Sequence, residues 1–126
     1  RGYEMRLTAT QIRYLLAIHT LSDDGIVRSA DIAGSLGVTK PSVHKMIIQL
    51  SKMDLITKEK YSVIRVTESG RFFAQQYFDS FSLIYGFLSK QLNLPQDTAE
   101  EGVLAILSSM ETEKLKFISL QNHTGV

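Results

Sequence analysis

The chain has 126 residues, of which 44% are hydrophobic and 21% charged, values that fit one globular domain or two small ones sharing a core. It contains no run of about 18 apolar residues, the minimum for a membrane span, and the segment RGYEMRL lacks the apolar stretch of a signal peptide. The absence of cysteine excludes disulfides, thiolate zinc sites and cysteine nucleophiles. We therefore expect a cytoplasmic protein with no membrane contact.

Charge is distributed unevenly, although the net charge is only +1. Residues 25–66 carry seven lysines and arginines against three acidic residues, a balance of +4, whereas residues 67–126 carry four against seven, a balance of −3. A basic middle segment favours a surface that binds a polyanion. Charged side chains that simply face solvent would explain the same charge counts, and the charge distribution alone favours that simpler explanation.

The segment LTATQIRYLLAIHTLSDDG predicts the first helix. Thr8 is placed to cap it, and Gln11, at the third helical position, is placed to reach back in a capping box. Apolar residues follow at helical spacing, and SDDG ends the helix. These apolar residues are Ile12, Leu15, Ile18 and Leu21.

The segment VRSADIAGSLGVTKPSVHKMIIQLSKMDLI predicts two helices joined by a tight turn. Ser29 is expected to cap the first helix, and Gly37 to supply the positive φ of the turn. Thr39 is expected to cap the second helix, with Pro41 in its first turn, where a missing N–H costs nothing. A short helix, a turn with glycine and a second helix form the helix-turn-helix pattern. The apolar positions of the second helix are Val43, Met46, Ile47 and Leu50.

The segment LITKEKYSVIRVT predicts a two-stranded hairpin, because it is rich in β-branched residues and alternates between apolar and polar ones. The first strand of the hairpin is expected to contain Lys58, Glu59 and Lys60, and the second to contain Ile64, Arg65 and Val66. A hairpin directly after a helix-turn-helix is a wing.

Thr67 is expected to cap a long helix over residues 68–92, whose aromatic stripe is wider than one small core needs. We expect part of that stripe to pack against another chain. Pro95 interrupts the chain before an amphipathic helix containing AEEGVLAILSSM, and a last short helix is expected to begin at Glu111 or Thr112. QNHTGV is expected to be a frayed tail. The aromatic residues are Phe72, Phe73, Tyr77, Phe78, Phe81, Tyr85 and Phe87.

The order of these elements resembles the iron- and manganese-dependent repressor family, of the diphtheria-toxin repressor and manganese-transport regulator type. The segments LTATQIRYLLAI, DIAGSLGVTKPSVHKMIIQLSKMDLI and VTESGRFFA carry the resemblance. It implies a mainly α fold with a small β-wing: a winged helix-turn-helix DNA-binding domain over residues 1–70 and a helical dimerisation domain over residues 71–126. The length is similar to that of the shorter, two-domain members.

The start of the second helix in the helix-turn-helix is the expected DNA reader, because that part of such a helix meets base edges in the major groove. Small hydroxyls and helix-start N–H groups suit phosphates. Lys45 is long enough to reach a guanine edge, and Pro41 can contact a thymine methyl group. Thr39 and Ser42 also suit capping, and His44 also suits a solvated surface. The resemblance implies DNA contacts for Thr39, Lys40, Pro41, Ser42, His44 and Lys45.

The wing is expected to place Lys58, Lys60 and Arg65 beside the DNA backbone or in the minor groove. Two positions depart from the family. Val63 stands where members usually have glycine at the wing tip, which leaves the geometry of the turn open. Asp54 replaces the usual glycine after the recognition helix, although aspartate tolerates a positive φ better than most residues.

The resemblance also implies an iron or manganese site made of carboxylates, imidazoles and sometimes sulfur ligands. When the ligands are carried over position by position, none is present in this chain. The corresponding residues are Arg13 and Leu16 in the first helix, Phe81 and Tyr85 in the long helix, and Leu104, Leu107 and Ser108 in the fifth helix. We therefore predict no metal cofactor at the family's site.

The replacements suggest what takes the place of the metal. An apolar cluster between the domains is expected to contain Leu16, Phe81, Leu104 and Leu107. Arg13 adds a positive charge that repels a divalent cation, and it is expected to pair with Glu100 or Glu101. In one interpretation the domains are locked together and the protein binds DNA constitutively. In the other the cluster is looser and admits an apolar small molecule as an effector.

The sequence thus predicts a transcriptional regulator, most simply a repressor, that binds a palindromic operator in double-stranded DNA as a homodimer. The alternatives are a metal-responsive repressor with ligands outside the family's set, and a protein-interaction module derived from this fold. An enzyme is not expected, because the chain has no cysteine, Gly-rich phosphate loop or recognisable catalytic carboxylate pair.

Overall fold

The computed structural model describes residues 5–118, so the predicted tail and His123 lie outside the described residues. Within this range the chain forms five α-helices of eight residues or more and three short strands, and residues 115–118 are also helical. Three further turns are a π-helical turn at Phe87–Gln91 and 3-10 turns at Lys60–Ser62 and Thr112–Lys114. The main elements are α1 (Ala9–Leu21), β1 (Ile26–Arg28), α2 (Ser29–Leu36), α3 (Lys40–Lys52), β2 (Ile56–Lys58), β3 (Val63–Val66), α4 (Glu68–Gly86) and α5 (Gln96–Ser108).

The chain divides into two compact units. One consists of residues 13–74, and the other combines the described residues up to 12 with those from 75 onward. Both α1 and α4 contribute to each unit. The domain boundary predicted after residue 70 falls inside α4 and stays a prediction.

The first unit, residues 13–74, contains the helix-turn-helix and the wing. Helix α2 packs against α3, and α3 packs against β2. The three strands form an antiparallel sheet in the order β1-β3-β2. The predicted hairpin is present, but β1 was not predicted, since a run of three residues is too short for a periodicity signal. The fold class, mainly α with a small β-wing, is confirmed. The unit's fully buried core includes Leu15, Ile18, Ile32, Leu50, Leu55 and Ile64.

The predicted caps of α1 and α4 are confirmed by their hydrogen bonds. The Thr8 N–H donates to Gln11 Oε1 at 3.0 Å, and the Gln11 N–H donates to Thr8 Oγ1 at 3.1 Å, which is the reciprocal pattern of a capping box. At α4 the Gly70 N–H donates to Thr67 Oγ1 at 2.9 Å. The Thr67 hydroxyl in turn donates to the Asp54 carbonyl at 2.6 Å, which ties the start of α4 to the end of the helix-turn-helix.

The prediction that Ser29 caps α2 is wrong. Arg28 occupies the N-cap position and makes no side-chain cap hydrogen bond. The Ser29 hydroxyl donates instead to the Ser62 carbonyl of the wing, at 3.3 Å. A partner 33 residues away replaces the local one, because β1 pairs with β3 and Arg28 lies opposite Val63.

The second unit is helical in its described part. Helix α5 begins directly after Pro95, as predicted, and packs against the π-helical turn that follows α4. The segment before α1 joins this unit through the Thr112 N–H, which donates to the Met5 carbonyl at 2.8 Å. The core contains Tyr77, Ala99, Val103, Leu107 and Leu115. No helix within residues 5–118 has the length and apolarity needed to cross a membrane.

Candidate nucleic-acid interface

Helix α3 begins with a well-formed cap. The Ser42 N–H donates to Thr39 Oγ1 at 3.2 Å, and the Thr39 hydroxyl donates to Ser42 Oγ at 2.9 Å. Pro41 lies in the first turn, as predicted. Gly37 precedes the helix with a φ of +67°, a conformation that glycine adopts without cost. The roles of Thr39 and Gly37 in the turn and cap are therefore confirmed.

The structure brings the six predicted reader residues together on the first turns of α3. The opposite side of the helix is buried, and this anchors it in the core. The exposed residues are Thr39, Lys40, Pro41, Ser42, His44 and Lys45. The buried residues are Val43, Met46, Ile47 and Leu50, as expected from their spacing. This arrangement leaves a continuous polar and basic surface free to meet a ligand.

The wing contributes Lys58 to the same surface. Lys58 lies opposite Ile64 in the β2–β3 pair, and directly opposed residues project to the same face of a sheet. Since Ile64 is fully buried, that face looks inward, toward the helices. The Lys58 Nζ atom lies 3.2 Å from Nδ1 of His44. The recognition helix and the wing are therefore joined by two predicted site residues.

Arg65 lies on the other face of the wing. It is opposite Thr57 in the sheet, and its Nε donates to Glu59 Oε2 at 2.8 Å. The hydrogen bond with Arg65 lowers the pKa of Glu59, and the same bond raises the pKa of Arg65. The guanidinium charge is thus balanced locally, and the structure does not bring Arg65 together with the reader helix as it does Lys58.

The wing turn resolves the question raised by Val63. The Val63 N–H donates to the Lys60 carbonyl, and the two central residues, Tyr61 and Ser62, have φ values of 61° and 60°. Two consecutive positive φ values are typical of type I′ hairpin turns, which favour Asn-Gly. Val63 itself has an ordinary φ of −89°. The left-handed strain therefore falls on Tyr61 and Ser62, two positions that the sequence did not single out. Asp54, which follows α3, also has a positive φ, of +62°. This agrees with the expectation that aspartate tolerates a positive φ.

A cavity of about 210 Å³ lies between α3, the start of α2 and the wing. Ile47 and six small or basic residues line it. The six are Ser29, Ala30, Lys40, His44, Lys58 and Ser62. Sequence reasoning missed Ser29, Ala30 and Ser62 as site residues, because only the pairing of β1 with β3 brings the start of α2 to the wing tip.

The positions expected to correspond to metal ligands are not suited to one. Tyr85 and Ser108 have hydroxyl groups, but a phenol and a serine are poor substitutes for the carboxylates and imidazoles that Fe(II) and Mn(II) prefer. The Ser108 hydroxyl donates to the Ala105 carbonyl at 3.1 Å, and the Tyr85 ring stacks on Phe81 at 6.0 Å. Among residues 5–118, no group of three or more histidine, aspartate and glutamate residues is placed to hold a metal ion. The absence of a metal at the family's site stays a prediction.

The remaining positions of that set lie in different units. Arg13, which is exposed, and Leu16 belong to the first unit. Phe81, Leu104 and Leu107 belong to the second, where Leu107 is fully buried. The apolar cluster, the pairing of Arg13 with a glutamate, and the small-molecule effector that a looser cluster would admit all stay predictions.

Most of the first unit, with the segment that precedes it, is similar to a known DNA-binding domain. Residues 6–64 match the family described as "Iron dependent repressor, N-terminal DNA binding domain". Over these residues the chain is similar to the DNA-binding domain of iron-dependent repressors. The match covers α1, the helix-turn-helix and most of the wing, so the repressor-type domain includes every predicted DNA-contacting residue except Arg65, which follows directly.

Solved structures show a similar fold over most of the chain. IdeR from T. acidophilum is 22% identical, with a TM-score of 0.62, over 97% of this chain and 56% of its own. The manganese regulator SloR is 26% identical, with a TM-score of 0.65, over 86% of this chain and 53% of its own. The chain thus spans about half the length of these two proteins. A hypothetical protein from Sulfolobus solfataricus is 21% identical, with a TM-score of 0.63, over 94% of this chain and 90% of its own. The comparison with curated proteins found no match.

Proposed function

We propose that this chain is a DNA-binding transcriptional repressor that binds a palindromic operator as a homodimer and is not gated by metal through the family's site. One observation carries the proposal: the N-terminal turns of α3 are exposed and basic in a domain of a DNA-binding family. Lys40, His44 and Lys45 stand on that surface with Lys58 of the wing beside them. Such a helix start suits the major groove, and lysines suit the adjoining phosphates.

Dimerisation is supported by an apolar surface on the second unit. Phe78, Leu83 and Phe87 are exposed to 43%, 39% and 57% on α4 and the turn after it. They line a groove of about 630 Å³ together with Asp79, Ser82, Gly86, Lys90 and Gln91. Apolar side chains clustered on a surface mark interaction sites. A second copy would pair this surface with itself and set two reader helices about a two-fold axis, which requires a palindromic site.

Metal independence is supported by the chemistry of the residues at the family's positions. Arg13 supplies a cation, and Leu16, Leu104 and Leu107 supply no donor atom. The alternative, a metal-responsive repressor with other ligands, requires ligands shared between copies or ligands from outside residues 5–118, since no suitable group exists within that range.

A protein-interaction module is the second candidate function. The modest balance of +4 over residues 25–66 supports it, and within that balance the Glu59 carboxylate offsets the Arg65 charge of the wing by pairing with it. A DNA-binding role depends on phosphate contacts, whereas a protein-interaction role does not. Salt dependence therefore separates the two.

The test begins with selection of bound duplexes from a random pool, followed by affinity measurements over a range of salt concentrations. For a DNA-binding repressor, log K falls linearly with log salt, with a slope of about −0.9 for each phosphate contacted. Lys45→Ala should weaken binding and relax the base preference, while Lys114→Ala, at an exposed lysine of the second unit outside the proposed dimer groove, should do neither. Failure to select any sequence, or an affinity independent of salt, would favour the protein-interaction module.

A further inference from the structure

The groove on the second unit runs along one side of α4 and the π-helical turn that continues it. Its lining side chains form two neighbouring rows with four-residue spacing, which are the ridges that helices use to pack against each other. Ser82 and Gly86 leave the middle of one row low, whereas Leu83 and Phe87 stand high in the other. The first row is Phe78, Ser82, Gly86 and Lys90, and the second is Asp79, Leu83, Phe87 and Gln91.

Gly86 has no reason within its own chain to be glycine. Its φ of −59° and ψ of −41° are ordinary helical values, and a Cβ atom there would meet nothing within 4 Å. Glycine in a helix is also less favourable than alanine. Gly34 of α2 is equally open, but α2 has no large exposed apolar side chain, whereas Leu83 and Phe87 beside Gly86 are 39% and 57% exposed. The space above Gly86 is therefore bordered by apolar surface that a second helix can cover.

Opposite charges stand at the two ends of this groove. Asp79 lies at one end and Lys90 at the other, eleven residues further along the chain. Within residues 5–118 neither has an ion-pair partner, and the Asp79 carboxylate accepts one hydrogen bond, from Gln75 Nε2 at 3.0 Å. If two copies paired in parallel, each of these charges would face its own kind. An antiparallel pair places each carboxylate opposite an ammonium group, and electrostatic complementarity therefore favours that orientation.

The same register matches large side chains with small ones. Leu83 follows Asp79 by four residues, and Gly86 precedes Lys90 by four. Leu83 of one copy therefore lies at the level of Gly86 of the other when the charges are paired. By the same count Phe87 lies at the level of Ser82. The distance between packed helices is about 8–10 Å and depends on the side chains at the contact, so small residues opposite large ones permit close packing.

We propose that two copies of this chain pack α4 and its π-helical turn antiparallel across this groove, with Asp79 of each opposite Lys90 of the other and Leu83 over Gly86. A two-fold axis repeats every contact, so each dimer contains two such charge pairs and two such apolar contacts. This pairing deepens the dimer of the proposed function, on which it rests, by naming its orientation, register and contacts.

The first experiment reverses the charges and measures association of the full chain by sedimentation equilibrium without DNA. Asp79→Lys or Lys90→Asp alone places like charges opposite each other at both ends and should weaken the homodimer about tenfold or more. An equimolar mixture of the two variants should associate about as well as the wild type, because every contact of the mixed dimer again joins opposite charges. The double variant should recover as well. Lys52→Asp, at an exposed lysine of α3, is the control and should associate like the wild type.

The second experiment fills the space above Gly86. Gly86→Leu should weaken association about tenfold or more, since overpacking a close contact is destabilising, and Gly86→Ala should have a smaller effect. The fold itself should tolerate both changes, because the position is helical and open. Urea unfolding of dilute, monomeric protein checks this. Gly34→Leu, at the equally open glycine of α2, should leave association unchanged.

The outcomes separate this pairing from the repressor function. If the wild type is monomeric at every concentration, the pairing is overturned and the groove is left to a different protein. If it dimerises but Gly86→Leu and both charge reversals associate normally, the interface lies elsewhere; the pairing is overturned while a DNA-binding dimer stands. If the variants behave as expected but no duplex is selected, the repressor function fails and the pairing stands.

Discussion

Gly70 of α4 lies directly against the carbonyl oxygen of Leu55, with no space for a Cβ atom between them. A Cβ at position 70 would also approach Val66 Cγ1 to 3.1 Å. The Thr67 N–H donates to the same Leu55 carbonyl at 3.1 Å. The first turn of α4 is thus seated on the connection between α3 and β2, and this close approach requires glycine.

Gly70→Ala is expected to destabilise the protein by about 1–3 kcal/mol, as overpacking of a tight contact does, although alanine gains about 1 kcal/mol in helix propensity. Gly34→Ala is the matched control, because Gly34 is exposed in the middle of α2 and a Cβ there meets nothing within 4 Å. That change should be neutral or stabilising. Urea unfolding measures both, and a Gly70→Ala protein as stable as the wild type would disprove the close approach.

Thr39→Ala is expected to reduce the free energy of unfolding by about 1 kcal/mol, because the Ser42 N–H loses its cap acceptor. Thr39→Ser keeps the hydroxyl and should retain most of the stability. If DNA affinity falls in the alanine variant and is restored in the serine variant, the hydroxyl serves the interface as well. Equal stability of all three proteins in urea unfolding would contradict the capping role.

Changing the wing turn to Asn-Gly, with Tyr61→Asn and Ser62→Gly, is expected to stabilise the protein by about 1 kcal/mol, since both positions have positive φ and these residues tolerate it. Val63→Gly is the control. Glycine there gains nothing from the φ of −89° and should weaken the strand. Thermal unfolding compares the two variants. Stabilisation by Val63→Gly would mean that the strain lies at residue 63, and would contradict its assignment to Tyr61 and Ser62.

Tyr77 should make stability depend on alkaline pH. Burial raises the pKa of its hydroxyl to about 12, with a smaller effect of the Leu7 backbone in the opposite direction. Within the described residues the hydroxyl has no partner at hydrogen-bond geometry. In the unfolded chain tyrosine ionises near pH 10, so the unfolded state loses its proton first. Stability is then full below about pH 10 and falls as pH rises toward about 12.

The matched change is Tyr77→Phe, which should flatten this alkaline decline. It should also leave stability at pH 7 unchanged or slightly higher, since it removes a buried hydroxyl without a partner. Tyr61→Phe, at a side chain that is 87% exposed, should leave the decline as it is in the wild type. Denaturant unfolding at several pH values measures all three proteins. If the stability of Tyr77→Phe still declines at alkaline pH as in the wild type, the decline is due to a group other than Tyr77.

Adding Mn(II) or Fe(II) to metal-free protein is expected to change DNA affinity less than about twofold, because the positions predicted to correspond to the family's ligands hold Arg13, leucines, aromatic residues and Ser108. The measurement is a binding titration at fixed ionic strength, with Mg(II) as the control for the general effect of a divalent cation on DNA. Tightening of tenfold or more by Mn(II) or Fe(II), but not by Mg(II), would overturn metal independence.

The features that the sequence determined are local ones. The Thr8–Gln11 capping box, the cap at Thr39 and the turn at Gly37 each depend on residues three or four apart, whose geometry follows from the helix itself. The turn and the second helix of the helix-turn-helix consist of such local signals, which is why they were predicted down to single residues, whereas the cap of α2 was not.

Tertiary structure decided which side chains meet. The Ser29 hydroxyl bonds to the Ser62 carbonyl, 33 residues away, and does not cap α2. Lys58 contacts His44, 14 residues away. Arg65 forms an ion pair with Glu59. These pairings depend on the register of β1, β2 and β3, and a shift of one residue would turn every side chain to the opposite face. The sequence alone therefore predicted a basic reader helix, and only the packing of the wing and α2 against it formed the cavity beside His44.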